Sequence, residues 1–177
     1  DLSGGQGMDT ISGEGGDDHI SGGGENDSHS NVLHGNEGND AIEAGGVGDT
    51  IFGDDGDDII NGNKGPDVIH GGAGDDIILA AAGNDQIWGD DGNDNIEGAA
   101  RNELFFFDTV GGASEVDQVK DVANGGTERL DFSALLADDP VTVNLLNGNA
   151  THTNRRVKIV DWKNFENATG GAGNDTF

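Results

Sequence analysis

Apolar residues recur along residues 4–97 at an interval of nine, lengthened once to thirteen: Ile11, Ile20, Leu33, Ile42, Ile51, Ile60, Ile69, Ile78, Ile87 and Ile96. Neither the i, i+3, i+4 spacing of an amphipathic helix nor sustained alternation describes that pattern. One inward aliphatic residue between two outward neighbours predicts a strand of about three residues. The six residues before it, dominated by glycine and aspartate, predict a tight turn, because glycine admits positive φ and aspartate stabilises turns with its own side chain.

Aligned on this period, the chain reads "GGQGMDTIS" (4–12), "GEGGDDHIS" (13–21), "GNEGNDAIE" (35–43), "GDDGDDIIN" (53–61), "GNKGPDVIH" (62–70), "GGAGDDIIL" (71–79), "AAAGNDQIW" (80–88) and "GDDGNDNIE" (89–97). Two further copies are irregular. "GGGEND" (22–27) reaches Val32-Leu33 only after four extra residues, and "AGGVGDTIF" (44–52) shifts its glycines by one. The sixth place is Asp9, Asp18, Asp27, Asp40, Asp49, Asp58, Asp67, Asp76, Asp85 and Asp94. A linker has no reason to hold isoleucine in phase with aspartate over ten copies.

In this register the chain resembles the RTX (repeats-in-toxin) family, whose glycine-rich nonapeptide G-G-x-G-x-D-x-U-x forms a calcium-binding β-roll. The resemblance covers residues 1–106 and implies an all-β fold, a right-handed parallel β-roll or β-solenoid. It further implies that each calcium ion sits between two stacked turns, held by the sixth-place aspartates of both and by turn carbonyls. The corresponding metal residues are the ten aspartates above and Asp175, with Gly53, Gly56, Gly62, Gly65, Gly71, Gly74, Gly89 and Gly92 as carbonyl donors.

Elementary physics leads the same way. If two copies complete one coil, alternate copies stack, putting Asp9, Asp27, Asp49, Asp67 and Asp85 along one edge and Asp18, Asp40, Asp58, Asp76 and Asp94 along the other. Carboxylates one strand spacing apart, about 4.8 Å, do not all ionise without a neutralising charge. Calcium suits the oxygen-only donor set, since it takes six to eight oxygen ligands in irregular geometry, whereas zinc favours nitrogen and sulfur. Four intervals on each edge allow up to about eight ions. The weakest sites are expected at the third copy, where Glu25 replaces a glycine, and at the fifth, where Val47 does so.

Composition narrows the partners. Thirty-five acidic residues against eight basic ones give a net charge of −27 over 177 residues, which repels nucleic acid and anionic membranes and favours cations. No apolar run approaches the roughly 18 residues of a membrane helix. There is no cysteine, and only 32% of residues are hydrophobic, so a large core and disulfide stapling are both excluded, leaving a metal as the cross-link.

From "RNELFFFDTVGG" (101–112) onward the period decays: Glu103 stands at a sixth place and Phe105 at an eighth, so 98–106 reads as the last, degenerate coil. Residues 107–169 read as a flanking β segment capping the roll, with Phe105, Phe106, Phe107, Phe132, Trp162 and Phe165 supplying its apolar closure. "GGAGNDTF" (170–177) restarts the nonapeptide, and "DLS" at the front matches the end of one, so the sequence reads as a segment of a longer protein.

Catalytic patterns such as H-E-x-x-H and G-x-S-x-G do not occur, and no catalytic residue is assigned. His19, His29, His34, His70 and His152 are scattered, the first four at places expected to face solvent. Asp139-Pro140 resembles the autocatalytic bond of some RTX proteins but reads as an ordinary turn. The "NDS" acceptor at Asn26 has no supporting context. The expected function is a non-catalytic, calcium-binding module of a large secreted bacterial protein. The resemblance implies export through type I secretion machinery and folding in extracellular calcium, at a secreted or cell-surface location. The alternative is a structural rod or lattice segment of an adhesin or surface-layer protein that self-associates through calcium. A calcium-mediated contact with an anionic polysaccharide is a third, less favoured, possibility.

Overall fold

The computed structural model describes residues 1–24, 26–107, 115–121, 128–133, 142–144, 149–151, 155–160 and 165–169. Every element among them is a strand, and no helix is long and apolar enough to cross a membrane. The repeat region carries β1 (Leu2–Ser3), β2 (Thr10–Ser12), β3 (His19–Ser21), β4 (Val32–Glu37), β5 (Ala41–Glu43) and β6 (Thr50–Asp55). It continues with β7 (Ile59–Asn61), β8 (Val68–Ala73), β9 (Ile77–Leu79), β10 (Gln86–Asp91), β11 (Asn95–Gly98) and β12 (Leu104–Phe106). Beyond it lie β13 (Glu115–Asp121), β14 (Glu128–Asp131), β15 (Thr142–Asn144), β16 (Asn149–Thr151), β17 (Arg155–Val160) and β18 (Phe165–Thr169).

Odd-numbered strands of the roll pair in parallel in one sheet and even-numbered strands in a second, so each coil consists of two copies of the nonapeptide. Eighth-place residues face inward and stack on their next-but-one neighbours. Ile20 pairs with Ile42, Ile42 with Ile60, Ile60 with Ile78 and Ile78 with Ile96 in one sheet. Ile11, Leu33, Ile51, Ile69, Ile87 and Phe105 form the corresponding row in the other. All of them belong to a single buried core. The expected parallel β-roll is thus the observed architecture.

Two features depart from the expected plan. First, the roll does not end at 98–106: β13 stacks in parallel on β11, pairing Val119 with Ile96, and β14 on β12, pairing Leu130 with Phe105. Phe105, Phe107 and Phe132 are buried, with the last two rings stacked 4.7 Å apart. Second, the four extra residues of the third copy place Asn31 directly before β4. Asp27 is therefore not in the stacked row, and Asn31 takes its place. Trp162, His152, Asp139-Pro140 and the restart at 170–177 with Asp175 lie outside the described residues.

Candidate metal centre

The turns carry two rows of buried side chains, one along each edge of the roll. Before the strands of the odd sheet stand Asp18, Asp40, Asp58, Asp76 and Asp94. Each donates its backbone N–H to Oδ1 of the next aspartate, at 2.7, 2.7, 2.8 and 3.0 Å. Before the strands of the even sheet the row runs Asp9, Asn31, Asp49, Asp67 and Asp85, linked in the same way at 3.0, 2.6, 2.7 and 2.9 Å. The sixth-place side chain therefore fastens each coil to the one before.

That link uses one carboxylate oxygen. Oδ2 of Asp40, Asp58, Asp67, Asp76 and Asp85 is buried without a hydrogen-bond partner, and these residues are at most 2% exposed. A buried anionic oxygen with no donor is costly. Burial pushes the carboxyls of Asp58 and Asp85 up to about 6, Asp76 to about 7 and Asp67 to about 8. For Asp58, Asp67 and Asp76 the neighbouring carboxylates push in the same direction.

The oxygens of Asp40, Asp58, Asp67 and Asp76 each face a gap left open by the first-place glycine of their copy, Gly35, Gly53, Gly62 and Gly71, whereas the copy of Asp85 has Ala80 at that place. A Cβ at Gly62 would lie 2.8 Å from Asp67 Oδ2 and 2.7 Å from the Ala80 carbonyl oxygen of the next coil. At Gly53 it would collide with Asp58 Oδ2 and the Gly71 carbonyl oxygen, and at Gly71 with Asp76 Oδ2 and the Gly89 carbonyl oxygen. The carbonyls of Gly56 and Gly74 are turned toward the fourth-place glycines of the following coil, Gly74 and Gly92, and that of Gly65 toward Gly83. At Gly62 and Gly92 the open α-carbon matters, as each receives a carbonyl from a neighbouring coil. Gly56 (φ +136°) and Gly74 (φ +139°) also occupy backbone conformations that other residues rarely adopt.

Carboxylate and carbonyl oxygens of adjacent coils thus converge, with no nitrogen or sulfur ligand among them. Among the described residues no three His, Cys, Asp or Glu side chains converge on one point. An ion here would take at most two carboxylates and draw its remaining oxygens from the backbone, a donor set that fits calcium and not zinc.

The irregular copies differ. Asp49 is already fully engaged, Oδ1 accepting from Asn31 and Oδ2 from the Gly45 N–H at 2.8 Å. Asp27 is buried beside the row, its Oδ1 accepting from the His29 N–H at 3.2 Å, with His29 Nδ1 at 3.1 Å. The His29 contact holds its carboxyl below the usual range.

Sequence reasoning missed two sets of residues. Asp117 and Glu128 prolong the acidic rows past the repeats, one before the core-facing end of β13 and the other at the start of β14, both buried. On the outer face of the even sheet, ninth-place residues His34, Phe52, His70, Trp88 and Phe106 form one continuous ring stack, with centroids 4.6, 5.3, 4.4 and 4.0 Å apart. His34 Nδ1 lies 3.0 Å from Asp54 Oδ2 and His70 Nδ1 2.9 Å from Asp90 Oδ2. The first and third rings thus lie on the outer face as expected but half-buried, within a ladder that becomes visible only when alternate copies are aligned.

Comparison with individual characterised proteins gives no match. Comparison with protein families matches the RTX calcium-binding nonapeptide repeat in four copies, over residues 1–28, 30–51, 52–87 and 70–100. That span covers more than half of the chain and coincides with the coils whose aspartates face the glycine gaps. The chain belongs to the RTX calcium-binding repeat family.

Proposed function

We propose that this chain is a calcium-dependent folding module of a large secreted bacterial protein, without catalytic activity of its own. The observation that carries the reading is the row of buried aspartates whose Oδ2 atoms have no donor and face the carbonyls of the next coil. Without a cation the rows hold like charges together; with one, binding free energy becomes folding free energy. Such a chain stays unfolded in a calcium-poor cytosol, passes the type I secretion machinery as an extended polymer, and folds outside the cell. Affinities of about 10⁻⁴ to 10⁻³ M, the range of extracellular calcium modules, suit this switch. The sixth-place aspartates Asp18, Asp40, Asp58, Asp76, Asp94, Asp67 and Asp85 are the assigned ligands, with Asp9, Asp27 and Asp49 at weaker sites.

The deciding experiment follows far-ultraviolet circular dichroism of the metal-free chain during titration with calcium, then with magnesium. A cooperative gain of β structure specific to calcium and reversed by chelator is expected. A spectrum indifferent to calcium, or a transition complete below micromolar calcium, overturns the reading.

A second reading, a stiff rod or lattice segment of an adhesin or surface-layer protein, is favoured by Ile59, Ile77 and Leu79. They are 51%, 42% and 39% exposed on the outer face of the odd sheet, where they offer an apolar patch for lateral contact. Sedimentation in calcium separates the two: assembly beyond the monomer supports the rod, and a monomer supports the folding module.

A further inference from the structure

Asn61 ends β7 and Gly62 opens the next copy, and the peptide bond between them is held from both sides. Its carbonyl, on Asn61, accepts from the Ala44 N–H at 2.9 Å, and its N–H, on Gly62, donates to the Leu79 carbonyl at 2.9 Å. The Asn61 side chain is fixed as well, with Oδ1 accepting from the Asn63 N–H at 3.1 Å. In register, Asn61 lies between Glu43 and Leu79 of the neighbouring coils. Among the described residues no other asparagine precedes a glycine.

That dipeptide is chemically unstable when its backbone is free. Glycine has no Cβ to hinder its nitrogen, so the Gly62 nitrogen can attack Cγ of Asn61. A C–N bond forms, the Cγ–Nδ2 bond breaks, and ammonia leaves as a five-membered succinimide closes. Water then opens either imide bond to give aspartate or isoaspartate, with no change of oxidation state. Ring closure consumes the Gly62 N–H and turns the peptide out of the strand. The bonds to Leu79 and Ala44 must open first, which within a folded ladder costs free energy.

We propose that Asn61 is a site of spontaneous deamidation that calcium-dependent folding shuts off, so that a chain kept unfolded ages irreversibly. The inference rests on the reading of the module as unfolded without calcium. Isoaspartate lengthens the main chain by one methylene directly before Gly62, where the first-place glycine leaves room for Asp67 Oδ2 and the Ala80 carbonyl oxygen. The aged coil no longer meets its neighbours in register, and the chain needs more calcium to fold.

The test holds the wild-type chain at pH 8 in calcium and in chelator. Circular dichroism follows the fold, and peptide mapping with isoaspartate detection follows residue 61. A peptide of the sequence IINGNK (59–64) gives the unrestrained rate in both buffers. Asn61 should deamidate at the peptide's rate in chelator and at least about tenfold more slowly in calcium. After ageing in chelator the wild type should show a raised calcium midpoint, whereas Asn61→Gln, aged alike, should not. Equal rates at Asn61 in both buffers while circular dichroism shows calcium-dependent folding overturn the proposal, as does an equal rise of midpoint in Asn61→Gln. A spectrum indifferent to calcium overturns instead the module reading beneath it.

Discussion

The backbone N–H of Asp40 donates to Oδ1 of Asp58 at 2.7 Å, across one full coil, while Oδ2 of the same Asp58 lies buried with no donor. One carboxylate therefore has two separable roles. Its first oxygen fastens the polypeptide to itself, and its second presents negative charge to the gap beside Gly53. Substitutions at this place can remove one role and keep the other.

Asp58→Asn retains an acceptor for the Asp40 N–H and loses the charge, so the β-roll should form at higher calcium with little change in its final spectrum. A charged hydrogen-bonding group contributes about 1.5–3 kcal/mol, so the calcium midpoint should rise about tenfold or more. Asp58→Ala loses both roles and should shift the midpoint further and broaden the transition. Circular dichroism titrations of the two variants make the comparison, and equal midpoints would refute the separation.

Protons should compete with the metal. Asp58 and Asp85 sit at about 6, Asp76 at about 7 and Asp67 at about 8 in the fold, above the ordinary value of 3.8 that the unfolded chain retains. Between these limits the folded state holds protons that the unfolded state lacks, so stability of the metal-free roll falls as pH rises. That stability is fully present below pH 3.8 and is lost through pH 6–8. Metal-free β content should be higher at pH 5 than at pH 8, and calcium binding should tighten from pH 6 to 8 as protons are displaced. The opposite order in either experiment would refute buried carboxyls as the source.

Backbone conformation gives a paired test. Ala81 holds φ +66° at the second place of its copy, where other copies have Gly5 and Gly72. A left-handed residue with a Cβ costs about 1–2 kcal/mol, and glycine returns roughly 0.5–1 kcal/mol of that as extra unfolded-state entropy. Ala81→Gly should thus raise the melting temperature of the calcium-loaded module by a few degrees. Gly56→Ala should do the reverse and far more strongly, because its Cβ would meet the Gly38 carbonyl at φ +136°. Calorimetry in saturating calcium reads both.

The ring ladder offers an internal reporter. Trp88 stacks between His70 and Phe106, so its fluorescence should respond to coil stacking in step with the gain of β structure. Phe106→Ala should remove one stacked neighbour, worth about 0.5–1.5 kcal/mol, and change Trp88 emission while leaving the number of bound ions unaltered. A changed ion count would mean that the ladder and the acidic rows are not independent.

The sixth and eighth places could be read without coordinates because a fixed interval of nine admits one register. Asn31 could not, since the extra residues between Asp27 and Val32 can be accommodated on either side of the turn, and only the links from Asp9 N–H to Asn31 Oδ1 and from Asn31 N–H to Asp49 Oδ1 decide. Asp117 and Glu128 were hidden for a related reason: the connections before them are longer, and Val119 and Leu130 replace the expected isoleucine. The ring ladder escaped because ninth-place residues vary in type, so that Glu43, Asn61 and Leu79 of the odd sheet separate His34, Phe52, His70 and Trp88 along the chain.

The stacking of coils also sets how the module would yield to force. Successive coils are joined in series, each by its own sixth-place link, so tension applied at the two ends would peel them away one at a time. A coil of 18 residues, the interval from Asp40 to Asp58, would release roughly 60 Å of chain at about 3.4 Å per residue. The 22-residue interval from Asp18 to Asp40 would release roughly 75 Å by the same measure. Pulled in calcium, the molecule would lengthen in uneven steps that report, coil by coil, where the insertions lie.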